Sequence, residues 1–278
     1  MIHMKMLAGR FRFDFDKKTY IMGILNVTPD SFSDGGKFYS VEDAVSHAIE
    51  MVQDGAGIID VGGESTRPGH NPVSVEEELR RVIPVIQEVS KRVDAPISID
   101  TFKARTAAEA IEAGAHIIND VWGAKQDPEI ADVAAEKKVP IILMHNRPNM
   151  DYENFVRDVL FDLYESIEIA KKAGVPDDKI ILDPGIGFAK DRDQDMLLMQ
   201  NLDKIVALGY PVLLATSRKR VIGHVLDLPV EERMEGTGAT CLFGMQKGCH
   251  IVRVHDVKPI SRMVKMMDAL MGKGERIG

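Results

Sequence analysis

The chain has 278 residues, of which 45% are hydrophobic and 28% are charged, and its formal net charge is −8. This length and hydrophobic content suit one large core, and a single (β/α)8 barrel typically needs about 250 residues. No stretch approaches the roughly 20 apolar residues of a membrane span, and the negative charge argues against nucleic acid or an anionic membrane as a partner. A small anionic substrate is still compatible with this charge, because local cations can dominate a cleft.

The N-terminal residues and the cysteines indicate a cytoplasmic protein. Residues 1–16 become charged too early for a secretory signal peptide. Cys241 and Cys249 have neither metal-ligand spacing nor a partner cluster of histidines. We therefore interpret both as buried thiols in a reducing compartment.

The first predicted element is a short hairpin. Phe11, Phe13 and Phe15 alternate with polar residues, and a turn at residues 16–18 follows. Such alternation is typical of a strand with one apolar face. We expect this N-terminal β-hairpin to close the bottom of the structure that follows, whereas residues 1–9 carry no informative pattern.

After the hairpin, strand-like and helix-like patterns alternate along the chain. Apolar runs predict eight strands, and apolar residues at helical spacing fill the gaps, for example over residues 41–54, 75–93 and 154–173. Strands that alternate with helices pair in parallel through helical crossovers, and eight such units predict closure into a barrel. The predicted strands lie at residues 20–25, 57–61, 96–100, 116–119, 140–144, 179–183, 211–215 and 250–254.

The expected fold class is therefore α/β, a single (β/α)8 TIM barrel. The structural alternative is an open doubly wound sheet, but no glycine-rich dinucleotide-binding fingerprint opens a helix after the first strand. No linker, repeat or low-complexity segment divides the chain. We expect one domain over residues 1–278.

Several predicted strands end in polar residues. An apolar run ends at Asp60, two glycines follow, and a polar segment carrying Arg67 comes next, while a similar polar loop follows Asn26. Polar residues at the C-terminal ends of barrel strands are typical of an active site. Asp and Asn also cap helices, however, and Asp60 or Asp100 taken alone is better explained as a cap.

Together, the strand ends predict one polar site, because in a closed barrel they converge in one mouth. Carboxylates and amides that face a buried site need N–H donors between them, since each unpaired group costs about 1–3 kcal/mol. A planar heterocycle with an amino-pyrimidinone edge would supply such donors. The residues at the strand ends are Asn26, Asp60, Asp100, Asn119, His145, Asp183, Ser217 with Lys219, and Arg253 with His255.

A second group of candidate residues is cationic and comprises Arg67, Lys219, Arg253 and His255. Arginines with a histidine at one rim suit a phosphate or diphosphate, through charge-assisted hydrogen bonds. Residues 216–220 also lead into a predicted helix, whose N-terminus favours anions. An acid and amide floor with a basic rim fits a heterocycle that carries a diphosphate.

Five segments of the sequence resemble the dihydropteroate synthase family of folate biosynthesis. The similarity runs from about residue 20 to 270, and five motifs in the family's order are far more specific than any one of them. The segments span Asn26 to Ser33, Gly63 to Gly69, Asp183 to Phe188, Ser217 to Lys219 and Arg253 to Val257.

The resemblance implies a transferase that condenses 4-aminobenzoate with (7,8-dihydropterin-6-yl)methyl diphosphate, which gives 7,8-dihydropteroate and diphosphate. It further implies Mg²⁺ as the cofactor, contacted by Asn26, and small molecules as the substrates. Family members are sulfonamide targets and usually homodimers, so we expect a homodimer here.

The resemblance also implies roles for individual residues. Asp100, Lys219 and Arg67 are expected to take part in catalysis, and Asp60 to support the floor of the site. Ile117 and Met144 are explained equally well by core packing. The pterin contacts implied are Asp100, Asn119, Asp183, Lys219, Ile117 and Met144. The diphosphate contacts implied are Asn26, Arg67, Arg253 and His255. The 4-aminobenzoate contacts implied are Phe32, Thr66, Pro68, Phe188 and Ser217.

The chemistry expected from this resemblance is a dissociative substitution. Loss of diphosphate would leave a cationic methylene conjugated with the dihydropterin, which Asp100 could stabilise without forming a bond. Water would also capture this cation, so we expect the loops at residues 27–40 and 62–74 to act as lids. The alternatives are a methyltransferase domain that passes a methyl group from methyl-tetrahydrofolate to a corrinoid, and a catalytically silent pterin-binding barrel.

Overall fold

Two sheets are present in the computed structural model, which describes residues 4–27, 40–65 and 72–274. One is a two-stranded antiparallel hairpin and the other has eight parallel strands. The strands are β1 (Lys5–Ala8), β2 (Phe11–Asp14), β3 (Tyr20–Asn26), β4 (Ile58–Gly62), β5 (Ile97–Asp100), β6 (Ile117–Asp120), β7 (Ile141–Met144), β8 (Ile180–Asp183), β9 (Leu213–Leu214) and β10 (Ile251–Val254).

The eight-stranded sheet closes into a barrel, as predicted. Its hydrogen-bonded order is β8-β7-β6-β5-β4-β3-β10-β9. A parallel bridge between Leu182 and Val212, with the Leu182 amide donating to the Pro211 carbonyl at 2.9 Å, joins β8 to the start of β9. Strand β9 is shorter than the predicted 211–215, because Pro211 has no N–H to donate and the Val212 amide donates to His250 Nδ1 at 3.1 Å.

Helices connect the barrel strands and pack on their outer face. In α2, Ser74 accepts a hydrogen bond from the Glu77 amide at 3.2 Å, and Val82, Ile86 and Val89 bury one face at helical spacing. Among the described residues, every helix is too short or too polar to span a bilayer. The helices are α1 (Val41–Gln53), α2 (Val75–Arg92), α3 (Ala104–Ala113), α4 (Glu129–Lys137), α5 (Phe155–Lys172), α6 (Arg192–Gln200), α7 (Leu202–Val206), α8 (Arg220–Leu226), α9 (Met234–Gln246) and α10 (Val257–Leu270).

The partner of Phe11–Asp14 in the N-terminal hairpin precedes it in the chain, whereas a partner after the turn at residues 16–18 was expected. Residues Lys5–Ala8 pair with Phe11–Asp14, so the interpretation of residues 1–9 as uninformative was wrong for this segment. Gly9 makes the tight turn with φ +57°, a left-handed conformation that glycine adopts without steric cost. Tyr20 belongs to the barrel instead, where it pairs with Ile251.

The hairpin closes the bottom of the barrel, as predicted. Met6, Phe13 and Phe15 pack in one cluster with residues at the starts of the barrel strands, among them Ile58 and Ile117. All five side chains are at most 3% exposed. The hairpin therefore fills the lower interior with apolar side chains, and only the opposite end can hold a polar site.

Replacing Phe15 with alanine should lower the free energy of unfolding by about 3–5 kcal/mol, because a large buried ring would leave a cavity. Leu7→Ala is the matched control on the other face of the hairpin, where Leu7 is 53% exposed, and it should change stability by less than about 0.5 kcal/mol. Urea denaturation followed by circular dichroism measures both. Equal effects of the two substitutions would show that the hairpin does not fill the barrel.

Candidate active site

Inward-facing side chains change from apolar to polar toward the C-terminal ends of the strands. Side chains at every second position of a strand face the same side. A residue two positions after a member of the apolar cluster that packs on the hairpin therefore also faces the barrel interior. The residues at these positions are polar, and all are buried except Arg253, whose side chain is 17% exposed. The cluster members Ile58, Ile117, Ile181 and Ile251 are followed two positions later by Asp60, Asn119, Asp183 and Arg253.

Arg253 joins the acids of this mouth. Its guanidinium donates through Nε to Asp60 Oδ2 at 2.6 Å and through Nη2 to Asp100 Oδ2 at 2.7 Å. Asn119 Nδ2 donates to the same Asp60 oxygen at 3.2 Å. These four residues come from β10, β4, β5 and β6, so the hydrogen bonds cross the barrel and form the floor of the site.

The buried position of Asp100 changes its pKa. Burial raises the pKa of Asp100 to about 7, against the opposing effect of Arg253, and the nearby Asp60 carboxylate raises it further. Within the described part of the chain, Oδ1 of Asp60 and Oδ1 of Asp100 are buried and have no hydrogen-bond partner. Unsatisfied buried acceptors are typical of a site that a bound donor completes.

Lys219 and Asp183 lie on the opposite side of the mouth. The Lys219 ammonium donates to the Ile186 carbonyl at 2.5 Å and lies 4.9 Å from the centroid of the Phe188 ring. Burial lowers the pKa of Lys219 to about 8, although the Asp183 carboxylate opposes this shift. Burial raises the pKa of Asp183, opposed first by Lys219 and then by the Gly185 amide, which donates to Asp183 Oδ1 at 2.7 Å.

Ser217 and His255 lie beside each other above β9 and β10. The Ser217 hydroxyl is 2.8 Å from His255 Nδ1, and the His255 amide donates to the same hydroxyl oxygen at 3.1 Å. This pair fixes the orientation of the imidazole ring at the rim.

Asn26 and Met144 lie at the ends of their strands, and Ile117 lies below the mouth. Asn26 ends β3 beside Gly62, where an added Cβ would lie 3.5 Å from Asn26 Oδ1 and 3.7 Å from Asp100 Oδ2. Met144 pairs with Asp183 in the β7–β8 register, whereas Ile117 belongs to the apolar cluster below Asn119.

Four of the predicted site residues fall outside the described residues. They are Phe32, Thr66, Arg67 and Pro68. Residues 28–39 of the first predicted lid loop and residues 66–71 of the second also lie outside the described residues. Their roles in the site stay predictions.

The structure also contains buried charged residues to which the sequence reasoning assigned no role. Lys190 is 2% exposed, and its ammonium is 2.8 Å from His145 Nδ1. His145 Nε2 is 2.9 Å from Asp162 Oδ2. His145 was recognised only as a strand-end residue. Lys190 resembles any lysine before a helix, so the sequence carried no signal that it is buried.

Comparisons with known proteins agree with this arrangement. The family model for pterin binding enzyme matches residues 22–255. The dihydropteroate synthase of Bacillus subtilis (strain 168) is 61% identical over 274 residues, which cover 99% of this chain and 95% of the relative.

Solved structures agree in both fold and sequence. Dihydropteroate synthase from Clostridium difficile, in the presence of pteroic acid, superposes with a TM-score of 0.90 at 49% identity, covering 93% of this chain and 98% of the other. The Xanthomonas albilineans enzyme with 4-aminobenzoic acid gives a TM-score of 0.92 at 39% identity, covering 97% of this chain and 98% of the other. With a barrel closed in the same way and sequence identity along almost its whole length, the chain belongs to the pterin-binding enzyme family.

Proposed function

We propose that this chain catalyses the dihydropteroate synthase reaction, in which 4-aminobenzoate and (7,8-dihydropterin-6-yl)methyl diphosphate give 7,8-dihydropteroate and diphosphate. The observation that carries the proposal is the floor of Asp60, Asp100 and Asn119 around Arg253, with two buried carboxylate oxygens that have no partner among the described residues. Relatives with the same fold were solved with pteroic acid and with 4-aminobenzoic acid.

The pterin would be held by its hydrogen-bonding edge. Its amino and ring N–H groups would donate to Asp100 and Asp183, and Asn119 can both donate and accept. Lys219 would donate to a ring acceptor while it keeps its contact with the Ile186 carbonyl. Met144, 3% exposed beside Asp183, suits an apolar contact with the ring. Ile117 lies one layer lower and would support the floor from below.

The diphosphate would be bound by the cations of the rim. An arginine has five N–H donors, and Arg253 uses one on Nε and one on Nη2 for the acids of the floor. Within the described residues, three donors are therefore left for phosphate oxygens. His255, oriented by Ser217, and Arg67 would complete this group.

The residues around Asn26 fit Mg²⁺. Its amide oxygen and the Asp100 carboxylate both lie beside Gly62, and both are hard oxygen donors. The described residues contain no cluster of three or more His, Cys, Asp or Glu suited to a metal, and Mg²⁺ typically takes few protein ligands and completes its shell with water and substrate phosphates. When bound, Mg²⁺ would neutralise charge that develops on the diphosphate.

The reaction needs little covalent chemistry from the protein. The bond between the methylene carbon and the diphosphate oxygen breaks, and diphosphate leaves with the electron pair. Asp100 stabilises the resulting cation electrostatically. The amine of 4-aminobenzoate, positioned by Phe188 and Ser217, forms the new C–N bond, and its extra proton passes to the released diphosphate, a stronger base than the arylamine.

Exposed apolar residues on the last helices support our proposal of a homodimer. On α10, Met266 is 59% exposed and Leu270 is 71% exposed, and on α9 Phe243 is 38% exposed. We therefore expect sedimentation equilibrium to give twice the chain mass, and Leu270→Glu to weaken the association. A wild-type protein that sediments as a monomer would refute this proposal. We also propose that the protein acts in the cytoplasm.

The activity is tested by incubating the protein with the pterin diphosphate, 4-aminobenzoate and Mg²⁺ and measuring release of diphosphate and formation of dihydropteroate. We expect both products in equal amounts, and their loss when a chelator removes Mg²⁺. Pterin binding without product would indicate a catalytically silent barrel. Methyl transfer from methyl-tetrahydrofolate to a corrinoid would indicate the methyltransferase alternative.

Pterin affinity should depend on the charge of Lys219. Because burial lowers the pKa of Lys219 to about 8, the ammonium loses its proton as pH rises above this value, and affinity for a pterin analogue should fall between pH 7 and 9. Lys219→Arg should remove this fall, since arginine stays protonated. Lys219→Met should weaken binding at pH 7 by on the order of 10- to 100-fold, the range of a lost charged hydrogen bond.

Isothermal titration calorimetry measures these affinities, and Lys172→Met, an exposed lysine on α5, is the control that should bind as wild type does. A wild-type affinity that does not change between pH 7 and 9 would contradict the assignment of Lys219.

A further inference from the structure

The loop between β8 and α6, residues 184–190, determines where Lys219 lies. Its Ile186 carbonyl accepts the hydrogen bond from the Lys219 ammonium at 2.5 Å. Its Phe188 ring has its centroid 4.9 Å from the same nitrogen. The loop also begins directly after Asp183, so its shape affects Asp183 and Lys219 of the proposed pterin site.

The backbone of the 184–190 loop is strained and tightly packed. Gly185, Gly187 and Ala189 have φ angles of +67°, +85° and +47°, and the left-handed region is unfavourable for alanine. A Cβ on Gly185 would lie 2.0 Å from the His145 carbonyl oxygen, so the loop lies directly against the end of β7. A backbone of this kind needs contacts that hold it in place.

Lys190 provides such contacts from inside the loop. Its ammonium donates to the Gly185 carbonyl at 2.9 Å, to the Phe188 carbonyl at 2.8 Å and to His145 Nδ1 at 2.8 Å. An ammonium has three N–H donors, so each is used. The side chain is 2% exposed, and the two carbonyls would lose a buried charged donor if it were removed.

His145 connects Lys190 to charged residues outside the loop. Since Nδ1 accepts from Lys190, Nε2 carries the ring proton and donates to Asp162 at 2.9 Å. Arg147 Nε donates to the same carboxylate oxygen at 2.5 Å. Burial lowers the pKa of His145 to about 4, so the ring is neutral at physiological pH. A neutral ring keeps Nδ1 free to accept from Lys190.

Helix α6 holds the loop from the other side. Asp195, 4% exposed, accepts a hydrogen bond from the Gly187 amide at 2.7 Å. Burial lowers the pKa of Lys190 to about 7, and the carboxylates of Asp195 and Asp183 oppose this shift. Loop carbonyls, a neutral imidazole and acids therefore surround the ammonium.

We propose that Lys190 is a positioning residue for the pterin site: its bonds to the 184–190 loop hold Ile186 and Phe188 where they orient Lys219. Lys190 touches no substrate in this arrangement. The inference rests on the proposed function, because it assumes that Lys219 contacts the pterin.

A double-mutant cycle tests this role, with the affinity for a pterin analogue measured by calorimetry. Lys190→Met, which keeps the volume and removes the donors, should weaken binding about 10- to 100-fold when Lys219 is present. In the Lys219→Met background the same substitution should change affinity less than threefold, because the group that Lys190 orients is gone. Lys190→Gln, which retains two N–H donors, should recover part of the lost affinity.

Lys125→Met is the matched control. Lys125 lies 3.8 Å from Asp162 Oδ1 and 2.8 Å from Glu165, without a bond to the loop, so binding should stay within twofold of wild type. Should Lys190→Met fail to fold, Lys190→Gln completes the cycle in its place. Affinity losses that are equal in both backgrounds, or smaller than twofold in the first, would overturn the proposal. Wild-type protein that binds no pterin would instead refute the proposed function.

Discussion

The forked contact of Arg253 with Asp60 and Asp100 is the interaction on which the polar end of the barrel depends. Two carboxylates buried side by side without a cation would be strongly unfavourable. One guanidinium, at 2.6 and 2.7 Å from them, compensates both and also ties β10 to β4 and β5 across the interior. The barrel can therefore hold a floor of acids while two of their oxygens have no partner in the described part of the chain.

The same alternation of side chains builds both the core and the site. Inward positions at the starts of the strands are apolar and pack on the hairpin, and the inward positions that follow are polar. The apolar half excludes water from below, and this strengthens the electrostatic interactions above it. Burial raises the pKa of Asp100 to about 7 and lowers the pKa of Lys219 to about 8. An acid and a base near neutrality suit a heterocycle that both donates and accepts hydrogen bonds.

Most of the barrel could be predicted from the sequence because its strands are buried on both faces and appear as apolar runs. The eight runs were placed within about two residues of the observed strands, and their polar last residues identified Asp100, Asn119 and Asp183. The first strand of the hairpin was missed because Lys5–Ala8 is short and mixes polar with apolar residues. Strand β9 is shorter than predicted because Pro211 has no N–H to donate. Whether this missing donor shortens a strand depends on the strand that pairs with it.

By itself, the sequence determined the order of strands and helices, the inward-facing polar positions and the family, since these depend on local spacing and residue type. Only the tertiary structure decided which charges meet. Arg253 is 193 residues from Asp60 and 153 residues from Asp100 along the chain, and Lys190 is 45 residues from His145. Barrel closure brings such residues within hydrogen-bonding distance, and burial then shifts the pKa values of Asp100, His145 and Lys190. Neither effect can be read from neighbours in the chain.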